Sequence, residues 1–297
     1  MKAAPFAYHS PTSLAEATAL LTEHGDEAKV LAGGQSLLPM LAYRLVTPAH
    51  VVDIGRISEL AGYHLDGSGL RIRAGARQRD LERSADVGLA FPILHDAIAS
   101  IAHVQIRNRG TVCGSLAHAD PAAELPAVMS ALDAVMIAAS QAGRREIPAA
   151  DFFLFHLTTA LEPTEILTEV RVPLQAPGTV GAFAEVSRRT GDFALAGVAA
   201  VAHATDGYID HCRIVCSGVG STPLRARAAE EAVRGTALDD SVLLDAQRLT
   251  GQDVHPVGDI HATADYRRHV AGVLVRRCLA AIRSQWGAPM ADGGSHD

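Results

Sequence analysis

Apolar positions along the first third of the chain shift between helical and strand-like spacing, which predicts alternating elements. Ser13–His24 reads as an amphipathic helix, Ala28–Leu31 as a short strand, Leu37–Leu45 as a helix and Val51–Ile54 as a buried strand. The turn Asp66-Gly67-Ser68-Gly69 leads into a strand over Leu70–Ala74, followed by helices over Gln78–Ser84 and Pro92–Ala102, the latter with proline in its first turn. Past a glycine-containing segment, Arg109–Ser115, the pattern predicts a helix over Pro121–Ala131 and a strand over Val135–Ala138. A turn at Gln141–Gly143 and a closing strand over Ile166–Val172 follow.

Two prolines and a glycine in Pro173-Leu174-Gln175-Ala176-Pro177-Gly178 stop regular structure, and a domain boundary is placed there. Beyond it the pattern changes to consecutive strands, Phe183–Ser187, Ala194–Ala204 and Ile209–Ser217, the last two joined by an Asp206-Gly207 hairpin turn. The final helix, about Ala264–Ile282, places Val270, Val273, Leu274, Cys278 and Ile282 on one face, opposite Arg267, Arg268, Arg276 and Arg283. The expected architecture is α+β: residues 1–175 in two lobes, about 1–56 and 57–175, then a small α+β domain over 178–285 with an antiparallel sheet and helices. Residues 286–297 are expected to form a flexible tail.

Composition narrows the possible functions. The 297 residues are 48% apolar and 20% charged, with 26 glycines and 14 prolines, which fits a turn-rich globular chain and not a disordered one. A formal charge of −7 without a Lys/Arg cluster gives no footprint for nucleic acid or an anionic membrane. Only 4% of residues are aromatic, so base-stacking platforms are poorly supported. Leu125–Ala139 and Phe193–Ala204 are too short to span a bilayer, the first also containing Asp133, and Met1–His9 has no apolar core of the length a secretory signal needs, so export is not expected. Cys113, Cys212, Cys216 and Cys278 form no Cys-x-x-Cys pair, so a cytoplasmic setting is expected, without clusters or zinc on this chain. Cys212 and Cys216 should face one side of a strand as core residues, and His255, His261 and His269 lack zinc-ligand spacing.

Two glycine segments carry candidate chemistry. Lys29-Val30-Leu31-Ala32-Gly33-Gly34-Gln35-Ser36-Leu37-Leu38-Pro39 runs from strand through a tight turn into helix, and its consecutive N–H groups could hold an anion such as phosphate. Alone, it is read first as a plain strand-to-helix turn, and it is neither a Gly-x-Gly-x-x-Gly nor a Walker loop. The second segment runs from Arg107 to Glu124, Arg107-Asn108-Arg109-Gly110-Thr111-Val112-Cys113-Gly114-Ser115-Leu116-Ala117-His118-Ala119-Asp120-Pro121-Ala122-Ala123-Glu124. Gly110 and Gly114 permit bends, Thr111 and Ser115 offer hydroxyls, and Asp120 before Pro121 is read as a helix N-cap. Glu124, about one turn further on, suits either a helix-start charge or a ligand to a ribose hydroxyl.

The ordered pair of turns resembles the FAD-binding medium subunit of the molybdenum hydroxylases, the xanthine dehydrogenase and carbon monoxide dehydrogenase family. Further segments extend the resemblance along nearly the whole chain. They are Val51-Val52-Asp53-Ile54, Glu169-Val170-Arg171-Val172-Pro173, Arg188-Arg189-Thr190-Gly191-Asp192-Phe193-Ala194, Gly218-Val219-Gly220-Ser221-Thr222-Pro223-Leu224-Arg225-Ala226 and Tyr266-Arg267-Arg268-His269. It implies a two-lobed FAD-binding fold of the vanillyl-oxidase-like (PCMH) type with FAD held noncovalently. Ala32, Gly33, Gly34, Gln35 and Ser36, with the segment Thr111–Ser115 that includes Gly114, would wrap the pyrophosphate with backbone N–H groups, and Val30 would belong to the same cofactor site. Ile101 and Ala102 would flank the nucleotide portion, and His118, Asp120 and Glu124 would line the same region. Leu167 would pack on the cofactor and Phe193 would lie near the isoalloxazine, although each also fits a core residue by type.

The resemblance further implies an oxidoreductase subunit that passes electrons from two [2Fe–2S] clusters on a small subunit through FAD to an external acceptor. A large subunit would carry the molybdenum cofactor, in a heterotrimer or a dimer of heterotrimers, and no catalytic acid or base is assigned on this chain. A free-standing FAD-dependent oxidase or reductase, and a cofactor-free interaction module, are the alternatives. Three positions depart from family patterns: Cys113 stands where many relatives have glycine, Ala184 where animal enzymes carry lysine, and Phe193 where some have tyrosine.

Overall fold

The structure, a computed structural model, describes residues 2–287. The first lobe comprises β1 (Ala7–His9), α1 (Leu14–His24), β2 (Ala28–Leu31), α2 (Leu37–Ala42) and β3 (His50–Asp53). Its strands lie parallel with β3 in the middle, because helical crossovers return the chain in the same direction. Ser13 caps α1, its side chain accepting from Glu16 N–H at 3.2 Å, and Ala17 and Leu21 bury one face against the sheet.

The second lobe begins with the hairpin β4 (Tyr63–Asp66) and β5 (Gly69–Arg73). A helical run follows: α3 (Gln78–Glu82), α4 (Ala85–Ala90), α5 (Pro92–Ser100), α6 (Val104–Arg107), α7 (Val112–His118) and α8 (Glu124–Ala131). Strands β6 (Val135–Ser140) and β7 (Gly143–Pro148), the short helix α9 (Ala149–Phe152), strands β8 (Phe153–Phe155) and β9 (Thr158–Thr159), and β10 (Ile166–Pro173) complete the lobe. The main sheet is antiparallel in the order β4-β5-β10-β6-β7.

Residues 174–179 cross without helix or strand to β11 (Val180–Ser187), β12 (Ala194–Thr205), β13 (Tyr208–Ser217) and β14 (Leu224–Arg225). These form an antiparallel sheet in sequence order, and α10 (Arg227–Val233), α11 (Asp240–Asp253) and α12 (Ala264–Gly287) follow. β12 is apolar on both faces because both are covered. Val198, Ala200 and Ala202 pack with Leu274 and Cys278 of α12, whereas Ala199 and Val201 join the core of the second lobe. Cys212 and Cys216 sit together in the helix-side core, as the strand period requires.

Several expected elements shift. The helix expected over Leu37–Leu45 ends at Ala42, and that over Pro92–Ala102 ends at Ser100, leaving Ala102 at φ +39°. The Arg109–Ser115 segment is not one turn, since α7 starts at Val112. Asp120 does not cap a helix: its side chain accepts from Ala122 N–H at 2.9 Å, and α8 starts only at Glu124. The Pro121 carbonyl instead accepts from Gly218 N–H at 2.7 Å, a tertiary bond to the strand domain. Arg267 is buried and not on a solvated face, because it donates to Leu195 O and pairs with Asp259, both at 2.7 Å. The helix expected to end at Ile282 continues through Trp286, whose indole donates to Gly178 O at 3.0 Å. The rest of the expected tail, 288–297, lies outside the described residues.

Candidate cofactor-binding site

The strand β2 delivers Gly33 and Gly34 against the second glycine segment. A Cβ on Gly33 would fall 2.8 Å from Gly110 Cα and 3.0 Å from Thr111 N, and closer still to the Arg109 carbonyl. Gly33 is therefore required so that two backbones can touch, while Gly34 turns the chain at φ +75°. After that turn the N–H groups of Gly33, Gly34, Gln35 and Ser36 find no acceptor among the described residues. Four consecutive unpaired donors form an anion-binding concavity.

The second turn is held from behind. Gln78 N–H donates to Gly110 O at 2.9 Å, and Thr111 bridges to Arg77. Thr111 then caps α7, its hydroxyl accepting from Gly114 N–H at 3.0 Å. Gly114 lies inside that helix, where a Cβ would meet Thr111 Oγ1 at 2.6 Å and Ala32 Cβ at 3.8 Å. Its role is close packing of cap and neighbouring turn, and the expected bend is absent. Cys113 is helical and fully enclosed, so it needs no left-handed backbone, and burial pushes its thiol far up.

Between the turns opens a cleft of about 780 Å³, within the range of roughly 300–1,000 Å³ that ligand pockets occupy. Every residue singled out in the sequence lines it: Val30, Ala32, Gly33, Gly34, Gln35 and Ser36 on the first lobe, Ile101, Ala102, Thr111, Gly114, Ser115, His118, Asp120, Glu124 and Leu167 on the second, and Phe193 beyond. Leu167 is buried in the wall, whereas Phe193 is 63% exposed at the start of β12 and is no core residue. Its loop seats on the second lobe, since a Cβ on Gly191 would come 2.7 Å from His103 Cε1.

Two titratable groups shape the site. Glu124 is buried as the first residue of α8, and burial pushes its carboxyl up to about 8, reinforced by Glu185 and Asp120. At neutral pH it holds its proton and can donate a hydrogen bond as well as accept one. Burial lowers the neighbouring His118, with Asp120 opposing. Ala184 turns into the helix-side core, so a lysine-like contribution from that position would not face the cleft. The adjacent Glu185 lies on the opposite strand face, and burial raises it to about 7.

The sequence reading assigned no role to Arg107 or Gln78. Arg107 forks onto Glu82 at 2.8 and 2.9 Å and donates to the carbonyls of Ile101 at 2.7 Å and Ala102 at 3.3 Å. It thereby clamps the turn that carries two cleft residues. Gln78 Oε1 is buried at the cleft without a partner. Arg107 lies within the quoted motif, but nothing local announced its partner Glu82.

A two-lobed cleft with a backbone anion cradle and an apolar wall defines a dinucleotide-cofactor protein. Residues 4–175 match the family described as "FAD binding domain in molybdopterin dehydrogenase", and residues 181–282 match "CO dehydrogenase flavoprotein C-terminal domain". The chain belongs to this family and carries its FAD-binding domain. The 6-hydroxypseudooxynicotine dehydrogenase complex subunit alpha of Paenarthrobacter nicotinovorans is 41% identical, covering 94% of this chain and 95% of the relative. The carbon monoxide dehydrogenase medium chain of Hydrogenophaga pseudoflava is 40% identical over 93% of this chain and 96% of the relative. The solved carbon monoxide dehydrogenase of Hydrogenophaga pseudoflava superposes with a TM-score of 0.93 at 41% identity, covering 96% of this chain and 99% of that one. Among the described residues no helix is long and apolar enough to cross a membrane.

Proposed function

We propose that this chain is the FAD-carrying electron-transfer subunit of a molybdenum hydroxylase, taking electrons from [2Fe–2S] clusters of a partner and passing them to an external acceptor. The observation that carries the reading is the contact of the two glycine turns around one cleft, in a chain similar over almost its full length to medium chains. Bound FAD would supply a ring system able to take electrons singly and release them in pairs. The backbone N–H groups of Gly33 to Ser36 and the hydroxyls of Ser36 and Ser115 would hold the pyrophosphate, and fixed dipoles there would require little reorganisation. Glu124 offers a proton donor to a polar edge of the cofactor, Ile101, Ala102 and Leu167 exclude water, and Phe193 covers the mouth.

The family matches support dividing the chain into an FAD-binding domain, 1–175, with lobes over 1–56 and 57–175, and a C-terminal domain, 178–285. The proposed partners are a large subunit with the molybdenum cofactor and a small subunit with two [2Fe–2S] clusters, in a heterotrimer or its dimer. Names such as "medium chain" and "FAD-binding subunit" among the relatives support a multi-subunit assembly. Four free thiols support a cytoplasmic setting. The test is native purification of the tagged chain from its own cells. Flavin absorbance with co-purifying molybdenum and iron–sulfur chains is expected; flavin without partners would favour a free-standing flavoenzyme, and no flavin would contradict the assignment.

A further inference from the structure

Three imidazoles from separate elements meet in the first lobe, and none of them lines the cleft. In the parallel pair of β1 and β3, Ala7 lies opposite His50 and His9 opposite Val52, so His9 and His50 share one face of the sheet. α1 ends at His24, where Gly25 turns the chain at φ +49°, and this brings a third ring onto the same face. The rings of His24 and His50 stack with centroids 3.6 Å apart, and His9 lies 5.5 Å from His24 and 5.2 Å from His50. His9 Nε2 approaches His50 Nδ1 at 2.9 Å, and one nitrogen of each ring lies within 4.8 Å of the others.

A nitrogen–nitrogen hydrogen bond needs a lone pair on one ring, so at least one of His9 and His50 is neutral. Among the described residues no Asp or Glu belongs to the group. The donor set is three imidazole nitrogens without a carboxylate, which suits borderline transition-metal cations and not magnesium or calcium.

We propose that His9, His24 and His50 form a three-histidine site for a divalent transition-metal ion of the zinc type, with water in the fourth position. Donors about 2.0–2.1 Å from a tetrahedral centre stand roughly 3.3 Å apart, a spacing inside the observed range. Rotation of the His24 ring off its stack closes the set. The ion ties the edge strand β1 and the end of α1 to β3, a clamp separate from the redox cleft. The ligands come from three elements, so no short zinc spacing marks them in the sequence.

The test uses the full chain with its flavin, stripped of metal by chelator and titrated with Co²⁺, whose visible bands report four-coordination, then competed with Zn²⁺. The expected result is saturable binding displaced by Zn²⁺, weakened about tenfold or more in His9→Gln and in His24→Gln. His211→Gln, at an exposed strand position, leaves it unchanged. Zn²⁺ also raises the melting temperature of the wild type but not of the two variants. Should one variant fail to fold, the other decides. Unsaturable Co²⁺ binding, or wild-type affinity in a folded His9→Gln or His24→Gln chain, overturns the proposal.

Discussion

Glu124 is the residue whose environment departs furthest from its sequence. Its unfolded carboxyl ionises in the ordinary range, about 4.3, while the folded chain keeps the proton up to about 8. Between these values the native state binds more protons, so stability falls as pH rises through that window and levels off above it. Each unit of offset corresponds to about 1.4 kcal/mol, so the loss reaches a few kcal/mol. Glu124→Gln should reduce this decline in thermal melts of the FAD-free chain, leaving the smaller part contributed by Glu185, and Glu124→Gln with Glu185→Gln should flatten it. An undiminished decline in Glu124→Gln would place its source elsewhere. Arg107 is the second such residue: Arg107→Lys keeps the charge but loses the fork onto Glu82 and the carbonyl contacts. Lysine leaves Glu82 a countercharge, so the loss is that of charge-assisted hydrogen bonds, about 1.5–3 kcal/mol. Denaturant unfolding should show a loss of that order, and FAD titration should show weaker binding because the turn at Ile101 and Ala102 is released.

At the scale of elements, α7 shows where local signals succeed and where they fail. Thr111 caps the helix, so Thr111→Val should lower stability by about 1 kcal/mol and weaken FAD binding, whereas Thr111→Ser should preserve both. Loss in Thr111→Ser with none in Thr111→Val would assign the effect to the threonine methyl and not to the cap. The β2 strand and its glycine turn were legible because the apolar run and the adjacent glycines act locally. The helix after Gly110 was hidden, because Gly110 and Gly114 look like punctuation although Gly114 serves packing inside a helix. Asp120-Pro121 carries a helix-start signature, yet the chain gives the Pro121 carbonyl to Gly218, a contact set by tertiary structure. Burial of Arg267 was equally invisible, since its acceptors Leu195 and Asp259 lie on other segments.

At the scale of the whole molecule, the small apolar residues of β12 let one sheet serve two cores. Its helix-side face is closed by α12, and its other face lies against the second lobe. That arrangement carries the loop of Phe193 to the mouth of a cleft built by the two lobes. The account rests on Gly33 touching the backbone at Gly110 and Thr111, so that both turns act on one ligand. The most direct measurement is the FAD content of purified wild-type and Gly33→Ala chains, with circular dichroism to confirm that both are folded. Stoichiometric flavin in the wild type and little or none in a folded Gly33→Ala chain is the predicted result. Wild-type flavin content in Gly33→Ala, or a wild-type chain that takes up no FAD when it is supplied, would contradict the account.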